Sequence, residues 1–105
     1  MSGLSERCTA TLHPSEPGEA EGILADHPAG PAVHSTRSGD RLHLRFLLGE
    51  RIIGAGVLVL DLMGDPPSWA GEVTLDGCRW WATSPLGTGI LTFTAPRGPG
   101  RERPT

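Results

Sequence analysis

The feature that most restricts the fold of this chain is its longest hydrophobic stretch, residues 41–62. In the first half, leucine or phenylalanine occupies every second position, with arginine and histidine between them. A period of two places successive side chains on opposite faces of a β-strand. Gly49-Glu50 follows, and glycine at the first central position is typical of a two-residue type II′ turn. The stretch therefore predicts a β-hairpin at the centre of a sheet.

The predicted turn also sets the register of the two strands of this hairpin. It pairs Leu48 with Arg51, Phe46 with Ile53, Leu44 with Ala55 and Leu42 with Val57. The face that carries these residues is the predicted core face. A helix over residues 52–62 is the competing interpretation. Two glycines and two valines oppose it, because glycine costs about 1 kcal/mol in a helix interior and β-branched residues favour strands.

The opposite face of the hairpin combines glycines with polar residues. In the predicted register Gly56 lies opposite His43, and Gly54 lies opposite Arg45. A glycine within a strand often marks a place where a bulky group approaches the backbone. It also permits the strand curvature that a barrel needs, and curvature is the favoured interpretation here.

Three further leucines, Leu58, Leu60 and Leu62, follow on this second face. Leucines in a row are unusual on a surface that faces solvent. They require a cover, which a partner subunit, a ligand or the N-terminal segment of the chain would provide.

Length and composition indicate a single soluble domain. The chain has 105 residues, 37% of them hydrophobic, and a formal net charge of −3. The absence of a basic patch argues against nucleic-acid binding. No apolar run approaches the roughly 20 residues of a membrane-spanning helix, and the N-terminus has no apolar signal-peptide core. We therefore expect a cytoplasmic protein with no membrane association.

The missing residue types limit the available chemistry. The chain has no Lys, Asn, Gln or Tyr and is rich in Gly, Pro, Ala and Arg, which is typical of a GC-rich genome such as an actinobacterial one. A Schiff-base lysine, a tyrosine acid and a side-chain amide donor are therefore excluded. The two cysteines, Cys8 and Cys78, can form one disulfide or none, and a cytosolic setting favours free thiols.

The rest of the chain reads as short strands between turns. Asp76-Gly77 predicts a type I′ hairpin that pairs Leu75 with Cys78 and Val73 with Trp80. Further strands are predicted at residues 7–12, 32–36 (a short edge strand) and 90–95, whereas residues 13–21 are predicted to form a loop.

These elements predict an all-β fold, a small single-domain antiparallel β-barrel or sandwich of about six to eight strands. The predicted domain spans residues 7–95. Residues 1–6 and the polar tail at 96–105 are predicted to be disordered.

No catalytic motif stands out in the sequence. Four histidines, at positions 13, 27, 34 and 43, match no metal-ligand spacing, so no metal site is predicted. No serine occupies a nucleophile-elbow context, no phosphate-binding loop precedes a helix, and no cofactor is predicted.

The tryptophans are the better candidates for a binding site. Trp69, Trp80 and Trp81 fall on one predicted hairpin, and small barrels commonly bind apolar molecules at their mouths. Together with His43 and Arg45 they form the candidate ligand-binding set. The alternative is that the tryptophans plug a barrel rim or contact a partner subunit.

Two functional hypotheses follow from this sequence. The first is a barrel that binds a small apolar molecule and that, if it is an enzyme, acts as a cofactor-free cyclase or isomerase on an apolar natural-product intermediate. The second is a non-enzymatic accessory or protein-interaction module, most simply a homodimer held by Leu58, Leu60 and Leu62. The sequence does not decide whether the protein is an enzyme.

Overall fold

The computed structural model describes residues 7–95, which fold entirely into antiparallel strands and their connections. The predicted disordered ends, residues 1–6 and 96–105, lie outside the described residues. Within the described range, no helix has the length and apolar character needed to cross a bilayer. The nine strands are β1 (Arg7–Thr11), β2 (His13–Glu16), β3 (Glu19–Ala25), β4 (Ala32–Ser38), β5 (Arg41–Leu48), β6 (Arg51–Asp61), β7 (Ser68–Leu75), β8 (Cys78–Pro85) and β9 (Ile90–Thr94).

Each strand from β3 to β8 pairs with the next one along the chain, and β1 closes the sheet. On one side β1 pairs with β9 along its whole length, and on the other side it pairs with β3. Strand β2 continues β1 and pairs with β3. The result is a closed barrel of eight antiparallel strands, which confirms the predicted small all-β barrel. Closure leaves no long unpaired edge.

Two turns have the geometry that their sequences predict. Gly49 has a φ of 66° and Glu50 does not adopt a positive φ, as a type II′ turn requires. Asp76 and Gly77 have φ values of 55° and 79°, as a type I′ turn requires. The predicted pairing of the second hairpin is confirmed along its whole length, from Leu75↔Cys78 to Glu72↔Trp81.

A β-bulge at Ile53 makes most of the predicted central register wrong. Leu48 pairs with Arg51 as predicted, but Phe46 pairs with Gly54 because Ile53 is an extra residue on β6. Beyond the bulge, every residue of β6 points to the face opposite to the predicted one. Gly54, Gly56 and Leu58 therefore face the interior, while Ala55, Val57 and Val59 face outward.

The bulge explains both the glycines and the leucines of β6. A Cβ at Gly56 would collide with the side chain of Val73, and one at Gly54 would collide with the backbone of β7. The groups that approach these glycines thus belong to the barrel itself. Leu58 is fully buried and Leu60 packs against the core, so the residues of the barrel interior cover both leucines. Leu62 lies beyond β6 and is exposed.

The centre of the barrel is filled by its own side chains. The rings of Phe46 and Phe93 meet edge to face with centroids 5.4 Å apart, an arrangement that aromatic pairs favour. Leucines and valines from six strands surround this pair and are almost completely buried: Leu24, Val33, Leu44, Leu58, Val73, Leu75 and Leu91.

Two other predictions need correction. Residues 13–21, predicted to be a loop, form β2, the start of β3 and the turn between them, where Gly18 has a φ of 81°. The weak strand at residues 32–36 extends to Ser38 and is not an edge strand, because it pairs with β3 and β5. The two cysteines are free thiols, as favoured. Cys8 is buried and Cys78 is exposed.

The two ends of the barrel differ in their connections. The β2–β3 hairpin, the β4–β5 turn and the loops at residues 62–67 and 86–89 lie at one end, which we call the mouth. The turns Gly49-Glu50 and Asp76-Gly77 and the loop at residues 26–31 lie at the other end, which we call the turn end. Since all strands are antiparallel, the position of a residue along its strand decides which end it faces.

Candidate functional site

A pocket of about 560 Å³ opens at the mouth, between the β2–β3 hairpin and strands β4 and β5. We call it the mouth pocket. Leu42 and Ala20, which both pack against the core, contribute apolar surface to its wall. Glu16 and Glu19 of the hairpin also line it. Its size is within the range of about 300–1,000 Å³ that is usual for small-molecule sites.

The alternation of side chains along β4 places one positively charged side chain, that of Arg37, at this pocket. Val33 and Ser35 are buried in the barrel, and Arg37 is the next residue on the same face. Val33 lies deep in the interior, whereas Arg37 is exposed at the mouth and lines the pocket. The hydroxyl of Ser35 donates to the carbonyl oxygen of Ala20 at 3.4 Å, so this polar group is satisfied inside the pocket wall.

Three contacts fix the position of Arg37. Its backbone N–H donates to the carbonyl oxygen of Gly18 at 2.8 Å, which attaches the β2–β3 turn to β4. Its Nε donates to the carbonyl oxygen of Gly39 at 3.1 Å. Its guanidinium carbon lies 5.4 Å from the centroid of the Trp69 ring, within the distance of a cation–π contact. The side chain is therefore held over the indole, not free in solvent.

The charge of Arg37 has no counterion among residues 7–95. Within residues 7–95, Arg41 pairs with Asp40 at 3.5 Å and Arg79 pairs with Glu72 at 3.7 Å. None of the described carboxylates forms an ion pair with Arg37. The backbone N–H and Nε of Arg37 donate hydrogen bonds, and no hydrogen bond or ion pair within residues 7–95 engages its terminal nitrogens.

The structure distributes the predicted tryptophans over three places. Trp69 is buried at the mouth, where it pairs with Ser84 of β8. Trp80 also faces the interior but lies toward the turn end, and its Nε1 is buried with no hydrogen-bond partner within residues 7–95. Trp81 is 50% exposed on the outer surface. The three tryptophans therefore do not line one pocket.

The other two predicted site residues, His43 and Arg45, do lie together. They flank a depression of about 430 Å³ on the outer surface, over Ala55 and Val57 of β6. Both side chains are exposed because they alternate with the buried Leu44 and Phe46. Strand β7 separates this depression from Trp81 on β8, so the predicted five-residue set is not a single site.

Two histidines are engaged with carboxylates. His27 contacts Asp76 at 2.8 Å, and His34 contacts Glu21 at 3.4 Å. Over residues 7–95 no three or more His, Cys, Asp or Glu side chains come together as a set of metal ligands.

Sequence reasoning found Trp69 but missed Arg37, Leu42 and the acidic hairpin. The signal for Arg37 was present, since Val33, Ser35 and Arg37 alternate in a β pattern. The predicted edge strand at residues 32–36 ends before Arg37 and therefore does not include it. The contact between Arg37 and Trp69 joins strands separated by β5 and β6, and no local pattern reports it.

Comparisons of the chain with protein-family models, with curated proteins and with solved structures found no match.

Proposed function

We propose that this barrel binds a small, largely apolar molecule in the mouth pocket. The observation that carries the proposal is the position of Leu42 and Ala20, which bring apolar surface to the wall of an open pocket of about 560 Å³. An apolar surface beside a few fixed polar groups is the usual composition of a small-molecule site. Here Ser35 and Arg37 are those polar groups.

The filled centre of the barrel limits where such a ligand is held. The Phe46–Phe93 pair and its neighbours occupy the interior, so the ligand lies at the mouth and not in the middle of the barrel. Trp69 is the one tryptophan of the predicted set that we retain in this site. It supports Arg37 from the barrel side, through the cation–π contact.

A catalytic form of the proposal is a cofactor-free cyclase or isomerase. Arg37 would stabilise negative charge that develops on a substrate oxygen, and Glu16 or Glu19 would accept a proton. The apolar wall would hold the substrate in a reactive shape. Conversion of a bound ligand into an isomer of the same mass supports this form, and recovery of the unchanged ligand leaves binding as the function.

Titration with the neutral apolar fluorophore N-phenyl-1-naphthylamine tests the binding proposal. We expect saturable fluorescence enhancement, and Leu42→Gln should weaken it about tenfold because apolar contact area is lost. Leu48→Gln is the matched control, since Leu48 is an exposed leucine of the same strand at the turn end. Ala20→Leu, which narrows the pocket without adding a polar group, should also weaken binding.

The absence of saturable binding would contradict the proposal. So would equal effects of the Leu42 and Leu48 substitutions in variants whose thermal unfolding shows that they remain folded. Either result would leave the mouth pocket as a feature of the surface alone.

The outer surface supports a second candidate function, a homodimeric interaction module. Val57 and Val59 of β6 are 41% and 42% exposed, and both point outward because of the bulge. These valines replace Leu58 and Leu60 as the proposed contact residues, since those leucines are covered by the barrel core. Trp81 lies two strands away on the same outer surface, on the far side of Glu72 of β7.

We call Val57 and Val59 of β6 the outer ridge. The charges on either side of the outer ridge favour packing between two copies. Arg41, His43 and Arg45 of β5 lie along one side of it, and Glu72 of β7, which pairs with Arg79 at 3.7 Å, lies on the other. A two-fold axis parallel to the strands would place the basic side of one copy opposite Glu72 of its partner. A symmetric, self-complementary contact of this kind is the commonest form of homodimer.

A further inference from the structure

The mouth pocket contains a fixed positive charge, the guanidinium of Arg37, and this charge helps to determine which class of ligand binds there. Resting on the proposed function, we infer that the ligand is an apolar monocarboxylate whose carboxylate pairs with Arg37. Gly18, Gly39 and Trp69 hold this arginine by contacts that leave the terminal nitrogens of the guanidinium free of any described carboxylate.

A guanidinium held in this way is suited to a planar anion. Its two terminal NH2 groups can each direct one N–H at a different oxygen of a carboxylate, which gives a matching fork. Because the indole of Trp69 and the carbonyl oxygen of Gly39 already orient the side chain, little conformational freedom remains to be lost when the anion binds. The same rigidity explains how an exposed arginine can serve as a specific anchor.

The other lining residues of the pocket determine the chemistry of the ligand beyond its carboxylate. Leu42 and Ala20 offer apolar contact next to the guanidinium, so the ligand needs an apolar part directly attached to its carboxylate end. Glu16 and Glu19 bring two negative charges to the same pocket against the single positive charge of Arg37. Like charges repel, and this arrangement disfavours phosphates and other multiply charged anions.

Three probes of equal chain length test the inference: decanoate, decanol and decylammonium. Isothermal titration at neutral pH, below the micellar range of each probe, gives their affinities for the full chain. We expect decanoate to bind about tenfold more tightly than decanol, because a hydrogen bond to a charged group is stronger than one to a neutral group. Decylammonium should bind most weakly, because it places like charge beside Arg37.

Two substitutions of Arg37 test whether this residue causes the preference for decanoate over decanol. Arg37→Leu should bring decanoate down to the affinity of decanol and leave decanol itself nearly unchanged. Arg37→Lys keeps the charge but not the fork, so it should retain part of the preference. Arg51→Leu is the matched control, because Arg51 is an exposed arginine at the turn end, and the preference should be intact.

The outcomes separate this inference from the proposed function. If decanol binds as tightly as decanoate, or if Arg37→Leu keeps the preference, the carboxylate assignment is overturned while apolar binding stands. If decylammonium binds best, Glu16 and Glu19 govern the site and the assignment is again overturned. If none of the three probes binds and the fluorophore does not bind either, the proposed function itself fails.

Discussion

Nε2 of His27 lies 2.8 Å from Oδ2 of Asp76, and this contact joins two turns that are 49 residues apart in the chain. Nδ1 of His27 accepts a hydrogen bond from the backbone N–H of Ala29 at 3.1 Å, so Nε2 carries the proton that is donated to Asp76. Asp76 also donates its own backbone N–H to the carbonyl oxygen of the bulge residue Ile53 at 3.1 Å. One aspartate thus ties its own turn to the loop at residues 26–31 and to the bulge on β6.

Asp76→Asn tests the contribution of the His27 contact. Asparagine tolerates the positive φ of this position, so the turn is kept while the carboxylate is removed. We expect the free energy of unfolding in urea to fall by about 0.5–1.5 kcal/mol, because the aspartate is half exposed and an ordinary hydrogen bond contributes this much. Asp40→Asn, at a more exposed ion pair, should change it by less than about 0.5 kcal/mol. Equal losses in the two variants would contradict a specific role for His27.

Gly56→Val tests the bulge and the orientation of β6. A side chain at Gly56 would collide with Val73 inside the barrel, so we expect a loss of about 1–3 kcal/mol or more in the free energy of unfolding. Ala55→Val is the control, since Ala55 is the adjacent residue and points outward. A stable Gly56→Val protein together with a destabilised Ala55→Val protein would mean that the predicted register without a bulge is the true one.

The two thiols should differ in their reaction with Ellman's reagent. Cys8 is buried, and its burial, with a smaller effect of the Asp26 carboxylate, raises the pKa of its thiol. Because the thiolate is the reactive form, Cys8 should react only when the barrel opens, whereas the exposed Cys78 should react quickly. Denatured protein should show two rapid thiols, and Cys78→Ser should remove the rapid phase from the native protein. Two rapid thiols in the native state would contradict the burial of Cys8.

Val57→Glu tests the homodimer. If the outer ridge of β6 is the contact, a charge at Val57 should convert dimers into monomers in sedimentation equilibrium while the barrel remains folded. Ile23→Glu is the control, because Ile23 is 60% exposed on β3, away from the ridge. Leu60→Glu should instead lower the stability of the barrel, since Leu60 packs against the core. A wild-type protein that sediments as a monomer would remove this candidate function.

The central hairpin shows how far sequence reasoning reached and where it stopped. The turn at Gly49-Glu50 and the first strand pair follow from local chemistry, and both are confirmed. The extra residue at Ile53 is not predictable from the hairpin alone. Two strands with apolar residues on both faces fit either register, and a shift of one residue exchanges the faces.

The candidate site shows the same limit. Trp69 was identified because tryptophan is conspicuous in any sequence, but Arg37 was not, because its role depends on a ring that lies on a distant strand. His43 and Arg45 were correctly placed on one face of β5, and that face proved to be the outer surface. On β5 the alternation of apolar and polar residues predicted the core face correctly, since Leu44 and Phe46 are buried, but it does not report contacts with distant strands.

The sequence by itself therefore determined what depends on neighbouring residues: the strands, the type I′ and type II′ turns, and the division of each strand into two faces. Tertiary structure decided which face of β6 is buried, through the fit of Gly54 and Gly56 against Phe46 and Val73. It also decided that β1 closes the ring against β9, and that Arg37 reaches Trp69 across the mouth. The physical reason is that dihedral preferences act within a few residues. The filling of a closed interior depends instead on side-chain volumes contributed by every strand at once.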